Sequence, residues 1–268
     1  MKIAFVGKGG SGKSSLSWLA IKTLENLGSS VLAIDADHNM DLTSNLNVDP
    51  EKTPLMHKTE KEFMEHVGLC NDPNCSKHKT LNKDDLPTFS IEDDYTKSIS
   101  YKVSNKINLI NIGLGSPDIL FTSACSHGLS GPLKYYLGLL DARDSWVVID
   151  SVAGADMLNY GLYAGIDAVI GVVEPHRNSV KVFEQIQNIC RKTMIPCCAI
   201  INKPTDNDFY TNFLKQYKDI ILGEIPLDEA ILNYNYENVA VTTKDAMKAV
   251  IEKTKTLRKR SGLNSINL

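Results

Sequence analysis

Short runs of apolar, often β-branched residues alternate along the chain with longer segments in which apolar residues recur at helical spacing. Several of the short runs are apolar throughout, which is typical of strands that helices cover on both faces. The predicted strands lie at residues 3–6, 31–34, 107–112, 146–149, 168–173, 197–201 and 220–223. This alternation predicts an α/β fold with a mostly parallel sheet between two layers of helices.

Three stretches carry the clearest helical stripes of apolar residues, at 16–27, 180–189 and 247–257. Gly28 follows the first stripe and predicts the end of that helix.

The segment 49–105 breaks this rhythm, since it is polar and contains several prolines. It has too few apolar residues for a core of its own, so we expect an insertion within a single domain spanning 1–268. The polar end of the chain, 261–268, is expected to be frayed.

Composition narrows the class of protein. The chain has 268 residues, of which 43% are hydrophobic and 23% are charged, and its net charge is −3. It therefore lacks the excess of basic residues that would predict a nucleic-acid partner. No apolar run approaches the ~20 residues of a membrane span, and the first run is too short for a secretory signal. We therefore expect a cytoplasmic protein without a membrane or nucleic-acid partner, whose six cysteines are reduced.

The strongest motif lies at residues 7–15, GKGGSGKSS, between the first predicted strand and the first predicted helix. It matches the phosphate-binding pattern G-x-x-x-x-G-K-[ST], in which glycines let backbone N–H groups converge on phosphate oxygens. In this pattern Lys13 reaches the β- and γ-phosphates and the Ser14 hydroxyl binds Mg²⁺. The predicted nucleotide-binding residues of the loop are Gly9, Gly10, Ser11, Gly12, Lys13, Ser14 and Ser15.

Carboxylates follow two of the predicted strands. Asp35 and Asp37 come after the strand 31–34, and Asp150 ends the strand 146–149 in the form of a Walker B strand. In a parallel sheet such ends lie at the ligand-binding edge, so Asp150 is expected to hold the Mg²⁺ shell. Gly154, four residues later, can offer its N–H to a γ-phosphate.

Asn202 and Lys203 follow the strand 197–201 and are predicted to contact the base of the nucleotide. An asparagine amide both donates and accepts, as reading the edge of adenine requires. The guanine-reading pattern N-K-x-D is not met, because Thr205 occupies the Asp position, and this favours ATP over GTP. The alternative is that Asn202 is a simple turn residue.

An additional lysine, Lys8, narrows the class of phosphate loop to which this motif belongs. The form K-G-G-x-G-K-[ST] resembles the deviant phosphate loop of the MinD/ParA/ArsA/nitrogenase-iron-protein ATPases, which have the P-loop NTPase fold. The resemblance implies a homodimer that forms on ATP, in which Lys8 reaches the phosphates of the partner subunit. It also implies that Asp37 orients the attacking water and that Asp35 supports Mg²⁺. The alternative is that Lys8 is an exposed lysine in a polar loop.

Three further stretches, at 112–115, 173–179 and 221–226, resemble the nickel-insertion ATPases of carbon monoxide dehydrogenase, the CooC type. Those ATPases carry a C-x-C pair, whereas this chain has Cys125 followed by His127. A dimer would offer two thiolates and two imidazoles, a reasonable set for Ni²⁺ or Zn²⁺. The alternative is a loop thiol without a ligand.

The remaining cysteines fall into two groups. Cys70, Cys75 and His78 have a spacing near that of a zinc knuckle without matching it, so a structural metal and unrelated exposed thiols are both open. The other thiols, in helix and strand patterns, are expected to be buried without a function; they are Cys190, Cys197 and Cys198.

The resemblance implies a slow, Mg²⁺-dependent ATPase that assembles a metallocentre, with nickel insertion into carbon monoxide dehydrogenase or a related apo-enzyme as the expected function. One alternative is a positioning ATPase like MinD or ParA, although the polar end of the chain lacks a membrane-seeking pattern. A second is a redox ATPase with an iron–sulfur cluster between subunits. That class needs a cysteine just after the second switch, and none follows Asp150 closely.

Overall fold

A computed structural model describes residues 1–59, 62–63, 67, 87–113, 131–155, 158 and 165–258. These residues form an eight-stranded sheet in the order β3-β4-β2-β5-β1-β6-β7-β8. The strands are β1 (Lys2–Gly7), β2 (Val31–Ala36), β3 (Tyr101–Lys102), β4 (Ile107–Asn111), β5 (Trp146–Ser151), β6 (Ala168–Val173), β7 (Cys197–Asn202) and β8 (Ile221–Ile225). All neighbouring strands pair in parallel except β3, which runs antiparallel to β4 at one edge.

Helices connect the strands and cover both faces of the sheet. They are α1 (Lys13–Asn26), α2 (Asp41–Asn45), α3 (Asp94–Ser98), α4 (Gly131–Leu139), α5 (Arg177–Thr193), α6 (Asp208–Tyr217), α7 (Glu229–Leu232) and α8 (Val241–Arg258). Short 3₁₀ turns lie at Pro50–Lys52, Met56–Thr59 and Tyr236–Asn238. The predicted P-loop NTPase fold class, with a mostly parallel sheet and helices on both faces, is confirmed.

The alternation of side chains along each strand divides the core into two layers. In β1, Ile3 and Phe5 face the layer formed by α1, α2, α7 and α8. Ala4 and Val6 face the opposite layer, to which α3, α4 and α5 contribute. A third apolar cluster joins α5 and α6 to the ends of β6 and β7. The continuous apolar strands of the sequence therefore follow from burial on both faces.

The predicted insertion packs on the sheet where the structure describes it. Met56, Phe89 and Ile99 are buried in the same apolar cluster as Tyr136 of α4. The rings of Phe89 and Tyr136 lie 5.4 Å apart between centroids, and the Tyr136 hydroxyl is hydrogen-bonded to that of Thr96 at 2.8 Å. The apolar residues of this segment thus serve the core of the sheet. The single-domain assignment stays a prediction, and the predicted frayed tail lies outside the described residues.

Because the central strands are parallel, their carboxyl ends meet at one edge of the sheet. The turn after β1 lies there beside the ends of its neighbours β5 and β6, and β2, β7 and β8 end at the same edge. This edge carries the residues that the sequence singled out for nucleotide binding.

Candidate functional site

The turn between β1 and α1 forms a tight loop. The Ser11 N–H donates to the Lys8 carbonyl at 3.1 Å, and the Leu16 N–H donates to the Gly12 carbonyl at 2.9 Å, which begins the helix. Gly12 has a φ of 91°, which an L-residue with a side chain rarely adopts. A Cβ at Gly12 would also lie 2.3 Å from Nδ2 of Asn202, so glycine is required here on two grounds.

A cleft of about 440 Å³ opens in front of this loop. The loop and the start of α1 form its floor, the segment after β2 forms one wall, and the ends of β7 and β8 form the other. The residues that line it are Gly9, Gly10, Gly12, Lys13, Ser14, Ser15, Leu16, Asp37, Asn39, Asp41, Asn45, Ala153, Asn202, Lys203, Pro226, Leu227, Asp228, Ile231, Leu232 and Tyr234. The fold therefore brings together most of the residues that the sequence predicted to bind a nucleotide.

The two lysines of the loop differ in their surroundings. Lys13 lines the cleft and is 6% exposed, and its charge acts on the buried Asp150. The Nζ of Lys8, in contrast, lies at the surface and donates to the Gly9 carbonyl at 3.4 Å. Ser11 is fully buried, and a Cβ at Gly7 would lie 2.9 Å from its Oγ, so this hydroxyl packs behind the loop.

Asp150 at the end of β5 is fully buried beside the phosphate loop. Its Oδ1 accepts a hydrogen bond from Ser17 Oγ at 3.1 Å. Burial is the main cause that raises the pKa of Asp150 to about 7; the nearby Asp35 carboxylate contributes to this rise, and the Ser14 hydroxyl opposes it. A cation bound next to this buried carboxylate would therefore strongly stabilise its ionised form.

Asp35 is the register partner of Asp150 across the β2–β5 pair and is also fully buried. Its Oδ2 accepts hydrogen bonds from the N–H and the hydroxyl of Thr43 in α2, at 2.8 and 2.7 Å. Burial raises the pKa of Asp35 to about 6, although these bonds oppose the shift. Asp35 thus ties α2 to the end of β2, a contact that the sequence analysis did not predict.

Asp37 lines the cleft, whereas Gly154 directly follows Ala153, which also lines it. The Oδ1 of Asp37 accepts the Asn39 N–H at 3.1 Å in a local turn. The Gly154 N–H, predicted to meet a γ-phosphate, donates to the Gly7 carbonyl at 2.8 Å. This N–H reaches a phosphate only after that bond opens.

The residues present fit Mg²⁺. In the described part of the chain no hydrogen bond reaches Asp150 Oδ2, which is buried, and the Ser14 hydroxyl lies close enough to affect its pKa. Hydroxyl and carboxylate oxygens are the ligands that Mg²⁺ prefers. Ser14 and Asp150 would hold the ion, with Asp35 behind them.

Asn202 at the end of β7 is 5% exposed, and its Nδ2 donates to the Ser11 carbonyl at 2.8 Å. This bond fastens the phosphate loop to β7, a role that the sequence reading of Asn202 as an adenine contact or turn residue did not include. Lys203 borders the cleft, and its Nζ pairs with Glu174 Oε1 at 2.9 Å.

The wall after β8 was missed by the sequence analysis. Pro226, Leu227, Leu232 and Tyr234 give this side of the cleft an apolar surface suited to a base. The Tyr234 ring meets Trp18 of α1 edge to face, with centroids 5.5 Å apart. The only signal in the sequence was a proline placed directly after a strand.

The predicted metal ligands lie outside the described residues; they are Cys70, Cys75, His78, Cys125 and His127. Within the described ranges, no group of three or more His, Cys, Asp or Glu side chains is placed to hold a metal ion.

Of the thiols predicted to be core residues, Cys190 and Cys198 are buried and Cys197 is partly buried. None of the helices in the described ranges is both long and apolar enough to cross a membrane.

A strand, a glycine-rich loop with its lysine, a helix, and aspartates at the ends of neighbouring parallel strands define a phosphate-loop nucleotide-binding protein. The model of the CobQ/CobB/MinD/ParA nucleotide binding domain matches residues 3–241. The chain therefore belongs to this family and is a CooC-like ATPase of the MinD/ParA type.

Similar proteins agree with this assignment. The carbon monoxide dehydrogenase accessory protein CooC of Rhodospirillum rubrum is 30% identical over 242 residues, which cover 86% of this chain and 85% of that protein. A plasmid partition protein of Borrelia burgdorferi bound to AMPPNP has a TM-score of 0.64 at 22% identity, covering 95% of this chain and 98% of the other. The septum site-determining protein MinD of Pyrococcus horikoshii, complexed with Mg-ADP, has a TM-score of 0.62 at 16% identity and 98% coverage of both chains. These two structures support the fold.

Proposed function

We propose that the protein is a cytoplasmic, Mg²⁺-dependent ATPase that forms a homodimer on ATP and assembles a metallocentre, with nickel as its cargo. The observation that carries the proposal is the pair of lysines in one phosphate loop. Lys13 is buried at the cleft, whereas the Lys8 ammonium lies at the surface and pairs with no carboxylate in the part of the chain that the structure describes.

The loop binds the triphosphate through its backbone N–H groups and the positive end of α1, whose first turn contains no acidic residue. Lys13 contacts the β- and γ-phosphates. The base lies towards Asn202 and the apolar wall after β8, where the free oxygen of the Asn202 amide can accept a hydrogen bond.

Hydrolysis needs a water in line with the γ-phosphate, and Asp37 has a carboxylate in the cleft that can orient it. When bound, Mg²⁺ neutralises charge on the β- and γ-phosphates. The Gly154 N–H exchanges its bond with the Gly7 carbonyl for one with the phosphate, so the segment after β5 can report whether a γ-phosphate is present.

Lys8 completes the site of a second subunit. A cation placed against the γ-phosphate from a partner stabilises the transition-state charge as an arginine finger does. Hydrolysis is slow until two subunits close face to face, and this couples the chemistry to assembly.

The metallocentre role is supported by the similarity to the CooC protein over 86% of the chain. Cys125 and His127 from two subunits would hold the metal ion as cargo, in a set of soft and borderline ligands that suits Ni²⁺ or Zn²⁺. An apo-metalloenzyme is the proposed client.

The test measures metal content and mass together. The purified protein is dialysed against Ni²⁺ with ATP and Mg²⁺, and the metal in the dimer is quantified for the wild type, Cys125→Ala and the control Cys197→Ala. We expect about one Ni²⁺ per dimer, lost in Cys125→Ala and kept in the control. A dimer without metal that binds lipid vesicles or DNA tightly would reject the metallocentre role in favour of a positioning ATPase.

A further inference from the structure

Glu174 lies at the end of β6 and is fixed from several sides. Its backbone N–H donates to Ser179 Oγ at 3.0 Å in α5. Its Oε2 is 3.2 Å from His176 Nε2, and its Oε1 is 2.9 Å from Lys203 Nζ. Burial alone would raise the pKa of Glu174, but the bonds from Lys203 and His176 outweigh it and hold the pKa below the usual value. Glu174 is therefore an anchored carboxylate next to the nucleotide cleft.

The backbone of Lys203 is equally fixed. Its φ of 53° is unusual for a residue with a side chain, and its N–H donates to the Ile225 carbonyl of β8 at 2.9 Å. The side chain borders the cleft, while the ammonium is paired with Glu174. The part of Lys203 offered to a ligand is thus its methylene stem, in the cleft that Pro226 and Leu227 also line.

This arrangement bears on which purine is accepted. Guanine presents two acceptors, O6 and N7, and a lysine beside that edge is one of its commonest specific contacts. Adenine presents a donor at position 6, which a cation repels. A lysine whose ammonium is held away from the base loses its preference for guanine and keeps its apolar contact.

We infer that Glu174 is a positioning residue for base selection: by holding the Lys203 ammonium next to the end of β6, it makes the cleft select adenine over guanine. The inference rests on the proposed function as a nucleotide-binding ATPase and names a determinant of its specificity.

The experiment measures the dissociation constants of Mg-ADP and Mg-GDP by calorimetry, since diphosphates avoid hydrolysis. Glu174→Gln removes the negative charge that holds the Lys203 ammonium, so the ammonium can turn to guanine and the preference for ADP falls about tenfold, mainly through tighter GDP binding. Glu174→Asp, which keeps the charge but shortens the reach, shifts the preference in the same direction. Asp245→Asn, which removes an exposed pair with Lys248, is the control and leaves the preference unchanged.

Lys203→Met separates this role from a structural one. It keeps an apolar stem without the charge, so the double variant of Glu174→Gln with Lys203→Met shows no gain in GDP binding. The inference is overturned if Glu174→Gln weakens both nucleotides equally, or if the double variant gains GDP affinity as the single one does. A wild type that binds neither nucleotide would instead contradict the proposed function.

Discussion

Replacing Asp150 with asparagine removes a charge from a fully buried carboxylate without changing its shape. Burial, together with the charge of the register partner Asp35, raises the pKa of Asp150 from 3.8 to about 7. A shift of this size corresponds to about 4 kcal/mol. In the absence of Mg²⁺ and nucleotide, the ionised Asp150 therefore destabilises the fold by up to about 4 kcal/mol, and Asp150→Asn relieves this cost.

The sign of the pH dependence follows from the direction of the shift. Between about pH 4 and pH 7 the folded protein keeps a proton on Asp150 that the unfolded chain has released. The free energy of unfolding of the wild type therefore falls as pH rises through this window and levels off above it. We expect Asp150→Asn to match the wild type near pH 4 and to be more stable by about 2–4 kcal/mol at pH 8.

The assay is urea unfolding followed by circular dichroism at pH 4, 5, 6, 7 and 8 with a chelator present. Asp245→Asn, an exposed substitution, is the control and should track the wild type. With Mg-nucleotide added, the order reverses, because only the wild type gains stability from the bound ligand. An Asp150→Asn protein that is less stable than the wild type at pH 8, or a gap that does not change with pH, would refute the reasoning.

Three further glycine substitutions test the packing of the phosphate loop and of the core. Gly12→Ala places a methyl group 2.3 Å from Asn202 Nδ2, so we expect nucleotide affinity to fall at least about tenfold by calorimetry. Gly28→Ala has a similar positive φ but open space around it, so it costs about 1–2 kcal/mol of stability and leaves affinity unchanged; equal affinities for the two variants would be contrary to this account. Gly171→Ala overlaps the Phe183 ring at 2.4 Å, so urea unfolding should show a loss of about 1–3 kcal/mol that Phe183→Leu partly restores.

The sequence was sufficient to predict those elements whose apolar pattern continues without interruption. All seven predicted strands form, and their ends move by only a few residues, because burial on both faces leaves an unbroken apolar signal. The phosphate loop was equally clear, since its glycines, lysine and serine sit at fixed spacing between a strand and a helix.

Features that depend on strand order or on short elements could not be predicted. β3 has two residues, too few for a period, and it forms because β4 offers an open edge. The apolar wall after β8 reaches the cleft only because β8 lies beside β7 in the sheet, which the chain order does not specify. The bond from Asn202 to Ser11 joins residues 191 positions apart, and no local pattern marks it.

The most direct test of the central claim mixes two inactive variants. Lys8→Ala lacks the lysine offered to the partner, and Asp37→Ala lacks the residue proposed to orient water, so neither alone should hydrolyse ATP. If Lys8 acts across the dimer, a mixed dimer regains one intact site, and an equal mixture recovers about a quarter of the wild-type rate. A mixture as inactive as its parts, although both variants bind Mg-ATP and form dimers, would contradict the account.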